Sequence, residues 1–419
     1  MQIFNKTYKN GLRLVHQKTD SNVTAVNILF NVGSRNENEN EQGFSHFIEH
    51  LMFKSSERFT TEEIMDKLTF FGADFNAYTS KTTTRYIFKC LSENFENCFE
   101  IYSDMLLSPK LIPEEMDKER NVVVEEMKKC ADDPVEVAYE NVMNNYYFGS
   151  SYAHDELGKE DIIMNVSREQ LLEYKNKYYT AENCIVSVVG NLDFDEVQRV
   201  VEKHFSSKLQ GEKNPKLLEN TELLPNIKKH IDVVERPDNQ ANVCIKIKSE
   251  RATSEKRYVA DIYTTILGNS QNSRLYKTIR EELGLVYTIY AFNDSNYLSG
   301  SIVIFFGTRP KNIEKAVMKI KQIIAEMGSV GISEEELQRA KNWRKSVLEF
   351  HAETAGATAE SNGTMINYYG NVVSKEERGK KIQSVTLDDV NAFAKQIASE
   401  ANFSLTAVGK NIKADTIVF

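Results

Sequence analysis

Apolar and polar residues alternate along this chain with two different spacings. Short β-branched or alternating runs predict strands, and apolar residues three or four positions apart predict helices. The predicted strands cover residues 24–31, 74–91 (as a pair), 241–248 and 299–306. One predicted helix ends at Gly72. The others cover residues 114–129, 135–147, 312–327 and 333–350. Grouped strands with long helices predict an α+β fold.

The two halves of the chain resemble each other near their ends. In each copy a Ser or Thr followed by acidic residues predicts a helix start, and a β-rich run that stops at glycine follows. Three pairs of residues share one offset of 219 positions: Ser167 with Thr386, Asn183 with Asn402, and Gly190 with Gly409. The repeat predicts two similar domains related by duplication, each a mainly antiparallel β-sheet with helices packed on one face.

A polar segment with two prolines separates the halves. It lacks sustained periodicity, which is typical of a linker. We therefore predict a first domain over residues 1–208, a linker over 209–228 and a second domain over 229–419. A chain of 419 residues is long enough for two cores of ordinary size.

Composition narrows the functional classes. The net charge of −9 opposes nucleic acid as the main partner, and no run of about 18 apolar residues predicts a membrane span. The first residues have no apolar core of an export signal. Five scattered cysteines without a CxxC motif favour reduced thiols. We expect a cytoplasmic protein with no membrane partner.

Two of the seven histidines lie four positions apart in the segment His46-Phe47-Ile48-Glu49-His50. Residues four apart share one helix face, so both imidazoles can bind one metal ion. Glu49 lies close enough to act on water at that ion. This HxxEH order is the inverzincin signature, although two surface histidines beside an acid would give the same letters.

A three-ligand metal site needs one more residue, and the acidic helix at 114–129 offers several. Glu119 and Glu126 are two turns apart on one face, whereas Glu125 points elsewhere. Helical spacing does not choose among these acids, because a solvated acidic helix shows the same pattern.

Taken together, these motifs resemble the pitrilysin/insulysin metallopeptidases, which include the mitochondrial processing peptidase. The likeness covers nearly the whole chain. It is carried by four segments: Gly33-Ser34-Arg35, HFIEHLMFK from His46, Asn76-Ala77-Tyr78-Thr79 and ERNVVVEEM from Glu119. The resemblance implies a zinc endopeptidase of the processing-peptidase branch, about half the length of insulysin.

The resemblance also implies roles for single residues. His46, His50 and Glu126 correspond to the Zn²⁺ ligands, and Glu49 corresponds to the general base that activates water for attack on a peptide carbonyl. Glu119 corresponds to an additional glutamate that supports the site.

Asn76 and Ala77 correspond to an edge strand that binds the substrate backbone by strand addition, although NAYTS could also be an ordinary strand. That binding mode recognises the main chain of the peptide more than its side chains. It therefore suits short or unstructured peptides of varied sequence.

The second half has no HxxEH motif, but it contains Arg280 and Tyr287, seven positions apart. By the resemblance, this pair faces the zinc across an enclosed chamber and stabilises the oxyanion. Gly284 between them is also typical of a helix end. The second domain is then an inactive copy that carries the Arg/Tyr pair.

The family resemblance further implies that two such domains form half of a clamshell chamber. We therefore expect a homodimer in which Arg280 and Tyr287 act on the partner chain's zinc site. The main alternative is a catalytically silent peptide-binding or scaffold subunit of the same family, but such partners lose HxxEH or the Arg/Tyr pair. A purely structural zinc is disfavoured, since structural sites usually have four protein ligands.

Overall fold

The structure, a computed structural model, describes residues 2–209, 229–400 and 402–419. This part of the chain forms two compact units. Unit 1 contains the described residues within Met1–Lys128, His154–Asn220 and His351–Val372; unit 2 contains those within Lys129–Ala153, Thr221–Phe350 and Val373–Phe419. Each unit therefore includes one segment from the other half of the sequence.

Unit 1 is built on a six-stranded sheet with the order β1-β2-β6-β3-β5-β4. Its strands are β1 (Gln2–Thr7), β2 (Arg13–Lys18), β3 (Val23–Phe30), β4 (Asp74–Thr79), β5 (Thr84–Leu91) and β6 (Cys184–Gly190). Neighbours are antiparallel except β2 and β6, which are parallel. Strand β4 lies at one edge, so its outer side has no strand partner in the described chain.

Helices cover both faces of this sheet. They are α1 (Phe44–Met52), α2 (Thr61–Phe70), α3 (Phe95–Leu107), α4 (Pro113–Asp132, which extends beyond unit 1), α6 (Glu160–Asn165), α7 (Arg168–Tyr178), α8 (Phe194–Val201) and, from the second half, α12 (Ala355–Tyr369). The larger core lies between one sheet face and helices that include α1, α3, α7 and α8. On the other face, Ala359 and Ile366 of α12 pack against residues of β2, β3 and β6.

Unit 2 repeats this plan. Its sheet has the order β7-β11-β8-β10-β9, with β7 (His230–Glu235), β8 (Ala241–Lys248), β9 (Val286–Ser295), β10 (Gly300–Thr308) and β11 (Phe403–Gly409). The single parallel pair, β7 with β11, corresponds to β2 with β6. Ser167 and Thr386 both begin helices with a capping box, as the repeat predicts.

The helices of unit 2 also lie on both faces of its sheet. They are α5 (Pro134–Tyr146, from the first half), α9 (Arg257–Leu267), α10 (Ile313–Ser329), α11 (Glu334–His351), α13 (Lys375–Ser384) and α14 (Leu387–Ser399). Helices α9, α10 and α14 contribute to the larger core. Ala138 and Val142 of α5 pack on the opposite face, against Cys244 and Phe305.

The predicted α+β fold with two similar, mainly antiparallel sheets is confirmed. The prediction of helices on one face was incomplete, because the central strands are buried on both sides. The second face of each sheet packs against a helix from the other half of the sequence.

The predicted linker lies outside the described residues except for Leu209, and the boundaries 1–208 and 229–419 stay predictions. Among the described residues, no helix combines the length and apolar character needed to cross a bilayer. The cytoplasmic location also stays a prediction.

Candidate metal centre and peptidase site

Helix α1 carries His46, Glu49 and His50, and its first turn is fixed by an acid outside the helix. Gly43 precedes the helix with a φ of 97°, a left-handed conformation that favours glycine. The buried carboxylate of Glu37 accepts hydrogen bonds from the Gly43 and Ser45 N–H groups, at 2.8 and 2.7 Å. Burial raises the pKa of Glu37 to about 8, although both N–H donors oppose that shift. No local pattern in the sequence pointed to this cap.

The structure brings His46, His50 and Glu126 together. Oε2 of Glu126 lies 3.6 Å from Nε2 of His46 and 3.5 Å from Nε2 of His50. One ligand atom from each of the three residues lies within 4.8 Å of the others. Glu125 is another acid of the same helix that spacing alone did not exclude as the third ligand. It instead forms an exposed ion pair with Lys128.

Zn²⁺ suits this set of donors. Two imidazole nitrogens and one carboxylate oxygen are the ligands of many catalytic zinc sites. Two ligand atoms at about 2.0–2.1 Å from a tetrahedral zinc lie about 3.3 Å apart. The observed separations of 3.5 and 3.6 Å are close to that value. Three protein ligands also leave a position for water or substrate.

The two histidines have different electrostatic surroundings. The pKa of His46 is lowered to about 3, mainly by burial and in smaller part by the neighbouring His50. Burial also lowers the pKa of His50, but the hydrogen bond to Glu119 and the charges of Glu49 and Glu126 outweigh burial, so the net shift is upward. His46 is therefore held as the neutral imidazole that a metal requires.

Glu119 connects His50 to Lys54, a residue to which the sequence motifs assign no role. Its Oε2 lies 3.1 Å from Nδ1 of His50, and its Oε1 lies 2.5 Å from Nζ of Lys54. Burial would raise the pKa of Glu119, but these two partners outweigh burial and lower it. Lys54 follows His50 by four positions and lies just beyond the end of α1, a spacing that could have drawn attention to it.

Glu49 lies beside the three metal-binding candidates and is 8% exposed. Burial raises its pKa, with a further contribution from the charge of Glu126. The Thr79 hydroxyl donates a hydrogen bond to Oε2 of Glu49 at 2.6 Å, which acts in the opposite direction. Thr79 belongs to the Asn76–Thr79 segment, in which the family resemblance implies roles only for Asn76 and Ala77.

Asn76 and Ala77 lie on the edge strand β4, which contacts α1. Oδ1 of Asn76 accepts a hydrogen bond from the Ala77 N–H at 2.9 Å. An edge strand presents unpaired backbone groups to which a further strand can add.

A cavity of about 540 Å³ opens beside these side chains. It is lined by the seven predicted site residues of unit 1: His46, Glu49, His50, Asn76, Ala77, Glu119 and Glu126. The other two, Arg280 and Tyr287, belong to unit 2. Arg280 lies on the helical segment Tyr276–Glu282 with its guanidinium 4.6 Å from the Tyr276 ring centre, and Tyr287 on β9 is 56% exposed.

Sequence and structure comparisons agree with this description. Residues 13–158 match the family model of insulinase (peptidase family M16), and residues 165–343 match that of the peptidase M16 inactive domain. A protein of Rickettsia bellii named an uncharacterized zinc protease is 30% identical over 405 residues, which cover 96% of each chain. A Bacillus subtilis protein, also named an uncharacterized zinc protease, is 29% identical over 94% of this chain and 95% of its own.

Solved structures show the same fold. A protease from Helicobacter pylori superposes with a TM-score of 0.89 at 23% identity, over 97% of this chain and 99% of its own. A Pseudomonas fluorescens structure described as a peptidase M16 inactive domain has a TM-score of 0.90 at 18% identity, over 98% and 99%. This chain belongs to the M16 family of pitrilysin-like metallopeptidases.

Proposed function

We propose that this protein is a zinc-dependent endopeptidase that hydrolyses short or unstructured peptides. The observation that carries the proposal is the buried Glu49 carboxylate beside the donor triangle of His46, His50 and Glu126. The names of the Rickettsia and Bacillus relatives support the same class of activity.

The three donors would hold Zn²⁺, with His46 neutral and His50 oriented by Glu119. When bound, zinc supplies Lewis-acid chemistry that lowers the pKa of water and polarises a carbonyl. Glu49 takes a proton from the attacking water and later gives it to the leaving amine. Burial raises the pKa of Glu49, which favours its taking up the proton from water.

The free edge of β4 would bind the substrate as an added strand beside Glu49. There the Ala77 N–H donates to Oδ1 of Asn76, and an added peptide strand would exchange this bond for hydrogen bonds to its own backbone. Because such pairing uses main-chain groups, we propose that the substrate segment must be extended and unfolded.

We further propose that Arg280 and Tyr287 complete the site from a second copy of the chain. A guanidinium and a phenol can stabilise the oxyanion that forms when the carbonyl is attacked. In a closed two-fold dimer each chain supplies both half-sites, so the pair contains two equivalent active sites in an enclosed chamber.

The experiment is cleavage of a quenched fluorescent peptide pool by purified protein of measured zinc content. We expect about one zinc per chain, loss of cleavage on chelation and recovery when zinc is restored. Glu49→Gln provides a zinc-loaded control for contaminating proteases. A zinc-loaded wild-type protein that binds peptides without cleaving them would instead support the silent peptide-binding subunit.

A further inference from the structure

We propose that Thr79 is a positioning residue that holds the Glu49 carboxylate for proton transfer and couples it to the substrate-binding strand. This inference rests on the proposed peptidase function. It assigns Thr79 no contact with substrate and no part in binding zinc.

The two carboxylate oxygens of Glu49 have different surroundings. Oε2 accepts a short hydrogen bond of 2.6 Å from the Thr79 hydroxyl. Hydrogen bonds of this length to a carboxylate are among the stronger ones in proteins. With Oε2 held, Oε1 is the oxygen left to exchange a proton in the cavity that Glu49 lines.

Glu49 needs such an anchor. A glutamate side chain rotates about three bonds, and holding it in one conformation costs conformational entropy. Without the Thr79 hydroxyl, free rotation about these bonds would spread the Glu49 carboxylate over several conformations.

The anchor belongs to the strand that would receive the peptide. Thr79 is the last residue of β4 and follows Ala77 by two positions, so both side chains lie on the same face of the sheet. On the other face, the Tyr78 hydroxyl donates to Glu360, and the Arg85 guanidinium lies 5.6 Å from the Tyr78 ring centre. These contacts fix the end of β4, so the strand that positions the peptide also positions the base.

The test compares Thr79→Val, which keeps the shape and loses the hydroxyl, with Thr79→Ser, which keeps the hydroxyl. We expect Thr79→Val to retain zinc and to lower kcat by about 10- to 100-fold with KM within about twofold, because misplacing a reacting group reduces turnover. Thr79→Ser should stay within about threefold of wild type in kcat. Thr82→Val, in the turn after β4, is the matched control and should leave kcat unchanged.

A double variant separates positioning from a general structural role. In the Glu49→Gln background the group that Thr79 positions is altered, so adding Thr79→Val should lower the residual rate by less than about threefold. Peptide affinity, measured by fluorescence anisotropy with Glu49→Gln, should be unchanged by Thr79→Val. A further loss of tenfold or more, or a weakened affinity, would overturn the inference.

The outcomes also distinguish this inference from the proposed function. If zinc-loaded wild-type protein cleaves no peptide, both are overturned. If wild type cleaves and Thr79→Val matches its kcat, the positioning role alone is overturned. Thermal denaturation checks folding, and Thr79→Ala replaces Thr79→Val if the latter unfolds.

Discussion

The ammonium group of Lys54 lies 2.5 Å from Oε1 of Glu119, and the other oxygen of the same carboxylate faces Nδ1 of His50 at 3.1 Å. The Lys54 and Glu119 side chains are 23% and 11% exposed, so solvent screens this pair less than a surface pair. A hydrogen bond from Nδ1 leaves Nε2 of His50 free for a metal ion. Lys54 thus fixes the carboxylate that orients a candidate zinc ligand.

We predict that Lys54→Met weakens zinc binding about tenfold, since losing a partner of this kind typically costs about 10- to 100-fold. The dissociation constant is measured by competition with a chelating dye. Lys128→Met is the matched control, because Lys128 forms an exposed pair with Glu125 on helix α4. Equal zinc affinities for Lys54→Met and wild type would show that Glu119 orients His50 without the lysine.

Glu49 and Glu126 should separate catalysis from metal retention. We predict that Glu49→Gln keeps about one zinc per chain and loses several orders of magnitude in kcat, because an amide cannot accept the proton. Glu126→Gln should instead lose zinc, because a neutral amide is a weaker ligand than a carboxylate. Metal analysis after dialysis and peptide assays measure both effects. The opposite pattern would reverse the assigned roles.

The proposed homodimer leads to a prediction about mixtures of inactive variants. Glu49→Gln lacks the base, and a chain with Arg280→Ala and Tyr287→Phe lacks the oxyanion pair. If each site takes groups from both chains, a mixed dimer rebuilds one of its two sites. Equal mixing with random exchange should then restore about a quarter of wild-type activity.

Subunit exchange in this experiment is verified by native mass spectrometry of isotope-labelled chains. The same mixture incubated below the exchange temperature is the control. An inactive mixture after complete exchange would refute the shared site, whereas the zinc and Glu49 predictions would stand.

Lys175 on helix α7 provides a prediction about stability and pH. Its side chain is buried, and burial lowers its pKa to about 8, with the ammonium group 5.8 Å from the Tyr179 ring centre. The unfolded chain binds this proton up to about pH 10.4, so it binds more protons than the folded protein between about pH 8 and 10.4. Burying the charged ammonium group therefore lowers the free energy of unfolding by its full amount below pH 8. This destabilisation disappears as the pH rises through the window.

We predict that Lys175→Met raises the free energy of unfolding by about 1–3 kcal/mol at pH 7 and by much less at pH 10. Urea denaturation of wild type and variant at both pH values measures the difference. Lys177→Met, an exposed change on the same helix, should alter stability by less than about 0.5 kcal/mol. An equal gain at both pH values would assign the effect to packing instead.

Local patterns accounted for much of the secondary structure. The capping boxes at Ser167 and Thr386 and the predicted strand at 241–248 agree with the structure. These features depend on neighbouring residues along the chain, which the sequence displays directly. The exchanged helices α5 and α12 could not be assigned to their sheets, because an apolar helix face does not reveal which surface it covers.

The site likewise combines features that local sequence determines with features that depend on tertiary packing. The sequence alone determined that His46, Glu49 and His50 share a helix and that Glu119 and Glu126 share a face of another, because a fixed helical period decides both. Tertiary structure decided which acid of α4 meets the histidines, and it brought Lys54, Thr79 and Glu37 to their partners. Those contacts join residues up to 80 positions apart, as for His46 and Glu126. Their distances depend on how α1, α4 and β4 pack, which no local pattern records.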